Sequence, residues 1–122
     1  MPAQKILVVD DSPTERFFLA ELLTRRGYTV ITAGNGQEAM IKVKTERPNL
    51  VVMDIVMPGQ NGFQVTRALT RDPDTQSIPI IICTSKSNET DRIWGLRQGA
   101  REYLVKPVRP EELLARVADL AH

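Results

Sequence analysis

Asn49-Leu-Val-Val-Met-Asp54-Ile-Val-Met-Pro-Gly-Gln-Asn-Gly62 is an apolar run that stops on a carboxylate and then breaks into turn residues. A β-branched run of this length, bounded by Pro58, Gly59, Asn61 and Gly62, suits a strand covered on both faces. It carries Asp54 out of the core to a loop that water can reach. Asp54 is therefore the first candidate for chemistry, against the simpler reading that it caps the turn.

Four other runs of the same kind flank it. Residues 5–10, Lys-Ile-Leu-Val-Val-Asp, form a strand ending in Asp10 and Asp11. Ser12-Pro13-Thr14-Glu15 then predicts a helix opened by a capping box, with Pro at the first helical position. That helix runs to about Arg26, points Phe18, Leu19, Leu22 and Leu23 inward, and is stopped by Gly27. Tyr28–Ala33 reads as a strand. Asn35 or Gly36 opens a second helix with Ala39, Met40 and Val43 on its inner face, ending before Pro48. After the Asp54 strand, a third helix starts near Gly62 and carries Phe63, Val65, Ala68 and Leu69. Asp72–Ser77 is a polar loop and Ile78–Thr84 a fourth strand. A helix from about Glu89 to Gln98 ends at Gly99, Tyr103-Leu-Val is the fifth strand, and Pro110 opens a last helix with Leu113, Leu114, Val117 and Leu120 inward. Five strands alternating with five helices predict an α/β fold: a doubly wound, flavodoxin-like parallel sheet ordered 2-1-3-4-5 with right-handed crossovers.

The chain has 122 residues, the size of one domain, so a single domain over residues 1–122 with no output domain is expected. Sixteen basic and fifteen acidic residues give a net charge of +1, which argues against nucleic acid or an anionic membrane as partner. The single Cys83 lies in Ile80-Ile-Ile-Cys-Thr84 and reads as a core thiol; no CxxC or His cluster suggests zinc. With neither a signal peptide nor a long apolar span, a cytoplasmic protein is expected.

In a sheet of this order, ligands sit beyond the carboxyl ends of strands one and three. Those ends are Asp10-Asp11 and Asp54. Three carboxylates within about 5 Å would repel by about 3 kcal/mol per pair at an effective dielectric of ~20. A cation removes that cost, and an all-oxygen donor set favours Mg²⁺. Strand four delivers the Thr84 hydroxyl and strand five the Lys106 ammonium, donors suited to phosphoryl oxygens. The combination suits an aspartyl-phosphate.

Asp10-Asp11, Asp54, Met57-Pro58, Gly62, Thr84, Tyr103 and Lys106-Pro107 together resemble the receiver domain of bacterial two-component response regulators, across the whole chain. The resemblance implies that Asp54 accepts a phosphoryl group from a histidine kinase. It also implies that Asp10 and Asp11 hold Mg²⁺ with the Val56 backbone carbonyl, that Lys106 pairs with the phosphate across a cis Lys106-Pro107 bond, and that Thr84 and Tyr103 form a switch pair. Such a protein catalyses only its own phosphorylation and dephosphorylation. The strings Asp10–Glu15, Asp54–Gly59 and Asn61–Gln64, with Trp94-Gly95 and Arg97–Ala100, are similar to PilH-type regulators of type IV pilus (twitching) chemotaxis systems. A phosphate sink or phosphorelay intermediate in another chemotaxis-like pathway is the alternative. Apolar Val56 and Lys86, each two residues beyond a site residue, predict slow dephosphorylation, with Lys86 covering the site.

A flavodoxin-like nucleotide binder shares the fold, but Asp10-Asp11 would repel an unshielded phosphate. A dehalogenase-type phosphohydrolase would place an acid where Val56 stands. A degenerate receiver serving as a scaffold is the third alternative. Output is expected through a protein contact on the face of the fourth helix, fifth strand and last helix. Trp94, one residue off an inward Ile93–Leu96 stripe, is expected to be partly exposed there and is a candidate anchor.

Overall fold

The computed structural model describes residues 3–121. Five strands, β1 (Lys5–Val9), β2 (Thr29–Ala33), β3 (Leu50–Met53), β4 (Ile80–Thr84) and β5 (Glu102–Val105), form one parallel sheet in the order β2-β1-β3-β4-β5. Between and after them run α1 (Pro13–Arg25), α2 (Gly36–Glu46), α3 (Gly62–Arg71), α4 (Glu89–Arg97) and α5 (Pro110–Leu120). No helix among the described residues is long and apolar enough to cross a membrane.

Alternation along the strands divides the core between the two faces of the sheet. Ile6, Val8, Leu50, Val52, Ile81, Cys83 and Leu104 meet Leu19 and Leu23 of α1 and Leu113, Leu114 and Val117 of α5. On the other face, Leu7, Val9, Val51 and Met53 meet Ala39 and Val43 of α2 and Val65 and Leu69 of α3. A smaller cluster of Ile55, Ile82, Ala100 and Tyr103 lies under α4, with Phe63 and Leu96 against it. β4 begins two residues later than the sequence predicts: Pro79, with no N–H to donate, precedes its first paired residue.

Two apolar residues expected inside lie outside. Phe18 is 42% exposed and its neighbour Phe17 more so. α1 turns Leu19 and Leu23 into the core, and a stripe about 100° wide has no room for a phenylalanine one position away. On α4, Ile93 is 44% exposed because the helix approaches the sheet through Gly95, two positions, or about 200°, further round. A Cβ at Gly95 would stand 2.9 Å from Ile82 Cδ1 and 3.1 Å from Tyr103 Cδ2. Trp94 is 47% exposed, as expected.

The start of α1 also differs from its expected form. Ser12 Oγ accepts from the Glu15 N–H at 3.3 Å, but the Ser12 N–H goes to Asp10 Oδ1 at 3.0 Å, so the strand-end aspartate takes the donor that Glu15 was expected to hold. The complete capping box is at α3, where Asn61 and Gln64 exchange both bonds.

Gly62, the first residue of α3, fixes the loop after β3. Its N–H donates to Ile55 O at 3.2 Å, and a Cβ would lie 2.5 Å from the Asp54 carbonyl oxygen and 2.6 Å from Ile55 Cα. Backbone cannot yield as a flexible side chain can. Gly62→Ala should therefore cost about 3 kcal/mol. Urea unfolding is the measurement, and a midpoint equal to wild type would show that the loop relaxes freely.

Candidate functional site

The register of the sheet sets the site. Val9 of β1 is paired with Met53 of β3, and the Asp54 N–H donates to Val9 O at 3.0 Å, so Asp10 and Asp54 emerge side by side. On the far side of β4, Thr84 pairs with Val105, and the Lys106 N–H donates to Thr84 O at 2.8 Å. From there the Lys106 stem reaches back over the end of β4. Its Nζ donates to Asp10 Oδ2 at 2.7 Å and to Asp54 Oδ2 at 3.0 Å. The second oxygen of each acid is held by backbone: Asp10 Oδ1 by the Ser12 N–H and Asp54 Oδ1 by the Val56 N–H, both at 3.0 Å. Asp10, Asp54 and Thr84 are buried. The Lys106–Pro107 bond is cis.

Three carboxylates converging within about 5 Å were expected; the structure joins two of them, Asp10 and Asp54, on one ammonium. Asp11 is exposed at the rim, and among the described residues no three acidic, histidine or cysteine side chains are grouped closely enough to hold a metal ion. The physical reason is the bridge: Lys106 neutralises one charge and occupies the space between Asp10 and Asp54. Three carboxylates less one ammonium still leave two surplus negative charges. With oxygen donors from Asp10, Asp11, Asp54 and the Val56 carbonyl, and no soft ligand, the donor set fits a hard divalent cation.

Thr84 and Tyr103 are linked through one residue. The Lys86 N–H donates to Thr84 Oγ1 across a long 3.4 Å, while the Tyr103 hydroxyl donates to Lys86 O at 2.8 Å. Tyr103 is thereby held inward under α4. The Lys86 side chain is exposed, and its backbone rather than its ammonium makes these contacts. Val56 is exposed, as a residue beside the site rather than under it.

A family profile for the response regulator receiver domain matches residues 6–118. The chain belongs to the response regulator receiver family. It is 53% identical over 113 residues to protein PilH of Pseudomonas aeruginosa, a match that covers 93% of each chain. It is 45% identical to the probable transcriptional regulator ycf27 of Porphyridium aerugineum, covering 96% of this chain but only 48% of that one, so the receiver spans about half of such relatives. The solved structure of the chemotaxis response regulator CheY4 of Vibrio cholerae superposes with a TM-score of 0.91 at 32% identity, covering 98% of this chain and 99% of that one. The two-component receiver fold and its chemotaxis-like form are thus established.

One feature of the site escaped the sequence reading. Arg16 Nη1 donates to the Asp10 carbonyl oxygen at 2.7 Å, and only its position six residues beyond Asp10, one turn into α1, could have suggested it.

Three groups at or under the site bind protons more tightly than usual. Burial raises the Cys83 thiol from 9.0 to about 12. Burial, and next the Asp91 charge, raise the Tyr103 phenol from 10.0 to about 12. For Lys106, burial works to lower the pKa, but the hydrogen bonds and charges of Asp10 and Asp54 outweigh it, so the ammonium is held above its usual range. In each case the folded chain keeps a proton that the unfolded chain releases, so stability falls as pH rises. The loss should begin near pH 9, where the unfolded thiol ionises, and continue towards about 12. Urea midpoints measured from pH 8 to 11 should decline steadily. Cys83→Ala should flatten the first part of the decline; an equal slope in wild type and variant would contradict the assignment.

Proposed function

We propose that the chain is a cytoplasmic, stand-alone response regulator that accepts a phosphoryl group on Asp54 from the phosphohistidine of a histidine kinase. Phosphorylation switches its contact with a downstream protein, in the control of type IV pilus twitching motility. The observation that carries the chemistry is the Lys106 ammonium placed on both Asp10 and Asp54. Support for the pathway is the PilH-type pattern of the sequence and the match to PilH over 93% of both chains.

In this reading the P–N bond of the phosphohistidine breaks as an Asp54 carboxylate oxygen forms the new P–O bond, and the imidazole leaves. Asp10, Asp11, Asp54 and the Val56 carbonyl would hold Mg²⁺, which when bound supplies charge neutralisation for the phosphoryl oxygens. Lys106 is already at the acceptor and can follow the phosphoryl group as a donor. The Thr84 hydroxyl, now accepting only a long bond from Lys86, is free to turn its proton to a phosphoryl oxygen.

Each charge-assisted hydrogen bond is worth about 1.5–3 kcal/mol, and two approach the ~5.5 kcal/mol that inverts a 1:99 equilibrium. Movement of Thr84 would draw on the Lys86 peptide, to which Tyr103 is tied by its hydroxyl. The signal then reaches the face of α4, β5 and α5, where Ile93, Trp94 and Val105 are exposed. α4 buries only Gly95 there, so little packing opposes its movement.

Asp54→Asn should fold normally yet take no label from acetyl phosphate with Mg²⁺; label persisting at another residue would end the assignment. Tyr103→Ala and Trp94→Ala should label as wild type does but bind the downstream partner at least tenfold more weakly, measured by pull-down or calorimetry. Unimpaired binding in both would place the output face elsewhere.

A further inference from the structure

Beside the acid pocket, on its β2 side, Arg16 adds a side-chain contact between two loops whose strand ends are already linked by the Asp10 N–H donating to Ala33 O at 3.1 Å. Its Nη1 donates to the Asp10 carbonyl oxygen at 2.7 Å. The guanidinium lies against the β2–α2 turn at Gly34, where an added Cβ would stand 3.2 Å from Nη1 and 3.8 Å from Cζ. That turn is itself anchored: the Gly34 N–H donates to Glu38 Oε1 at 2.6 Å, and Glu38 Oε2 pairs with Lys42 at 3.5 Å. Glu38 titrates below its usual range, chiefly because of the Gly34 N–H.

The carbonyl that Arg16 holds belongs to the planar peptide joining Asp10 to Asp11, so its direction sets the start of Asp11. Asp10 has two side-chain anchors, Lys106 and the Ser12 N–H. The exposed carboxylate of Asp11 makes no hydrogen bond or ion pair among the described residues, so its aim comes from its backbone. We infer that Arg16 is a positioning residue for the divalent-cation site: by tying the Asp10–Asp11 peptide to the β2–α2 turn, it aims Asp11 at the cation. This rests on the reading of Asp10, Asp11 and Asp54 as the Mg²⁺ donors.

Charge and position make opposite demands here. A guanidinium beside a cation site repels the cation, so an Arg16 that acted only through its charge would weaken Mg²⁺ binding, and its removal would strengthen it. An Arg16 that positions Asp11 does the reverse. Residues that orient metal ligands change affinity by about 10–100-fold when replaced.

The experiment is calorimetric titration of Mg²⁺ into wild type, Arg16→Gln, Arg16→Lys and Gly34→Ala. Arg16→Gln should bind at least about tenfold more weakly, despite losing a like charge. Arg16→Lys, whose longer stem carries its donor further towards the Asp10 carbonyl than the Gln amide reaches, should recover part of the loss. Gly34→Ala changes no charge and touches no proposed ligand, but its Cβ crowds the guanidinium, so it should weaken binding in the same direction by less. In each variant, saturating Mg²⁺ should restore the wild-type rate of Asp54 labelling, which separates positioning from general damage. If Arg16→Gln does not fold, unchanged Mg²⁺ affinity in both Arg16→Lys and Gly34→Ala overturns the inference. Unchanged or tighter binding by a folded Arg16→Gln overturns it directly. Wild type that binds no Mg²⁺ overturns the site reading, and this inference with it.

Discussion

The Lys106 ammonium, shared by Asp10 and Asp54 at 2.7 and 3.0 Å, is the contact on which the site depends. Parallel pairing of β1 with β3 forces the two acids together at adjacent strand ends, and neither can turn away because backbone N–H groups hold their other oxygens. Two buried carboxylates at such separations would each need a partner, since breaking a buried ion pair costs about 3–5 kcal/mol. One lysine reaching across β4 from the end of β5 meets both needs. The cis Lys106–Pro107 bond and the Lys106 N–H bond to Thr84 O lie at the same point of the chain.

That bridge is well paired but not neutral. Among the three acids and Lys106 two negative charges remain in excess, partly offset by Arg16 at the Asp10 carbonyl, and every acid involved offers oxygen only. An all-oxygen donor set with this imbalance suits a hard divalent cation. Receiver chemistry suits such a site, because phosphoryl transfer asks the protein for placement and charge neutralisation more than for bond-making groups of its own.

Away from the acids, α1 and α5 cover one face of the sheet and α2 and α3 the other, while α4 meets it through Gly95, with Leu96 against the Tyr103 cluster. The close approach that seats α4 through Gly95 leaves Ile93 and Trp94 outward as exposed apolar surface. Lys86 connects this region to the site through its backbone alone, accepting from Tyr103 and donating to Thr84. A side chain at position 86 can therefore vary without breaking the link.

The strands, the acids at their ends and the order of the sheet were legible in the sequence. Each rests on local signals: β-branched runs, turn residues at fixed offsets, and the rule that parallel crossovers place ligands beyond strand ends one and three. Thr84 and Lys106 followed from the same rule. What a helix turns inward was less legible, since Phe18 and Ile93 have the apolar character of a core residue but lose their places to Leu19 and Leu23 in one case and to the close contact of Gly95 in the other. The bridging of two acids by one lysine, the exposure of Asp11 and the grip of Arg16 on the Asp10 carbonyl were decided only by tertiary structure. The bridge spans groups 96 residues apart, which no local pattern encodes, and the Arg16 contact, though only six residues long, depends on how the Arg16 side chain folds back from α1.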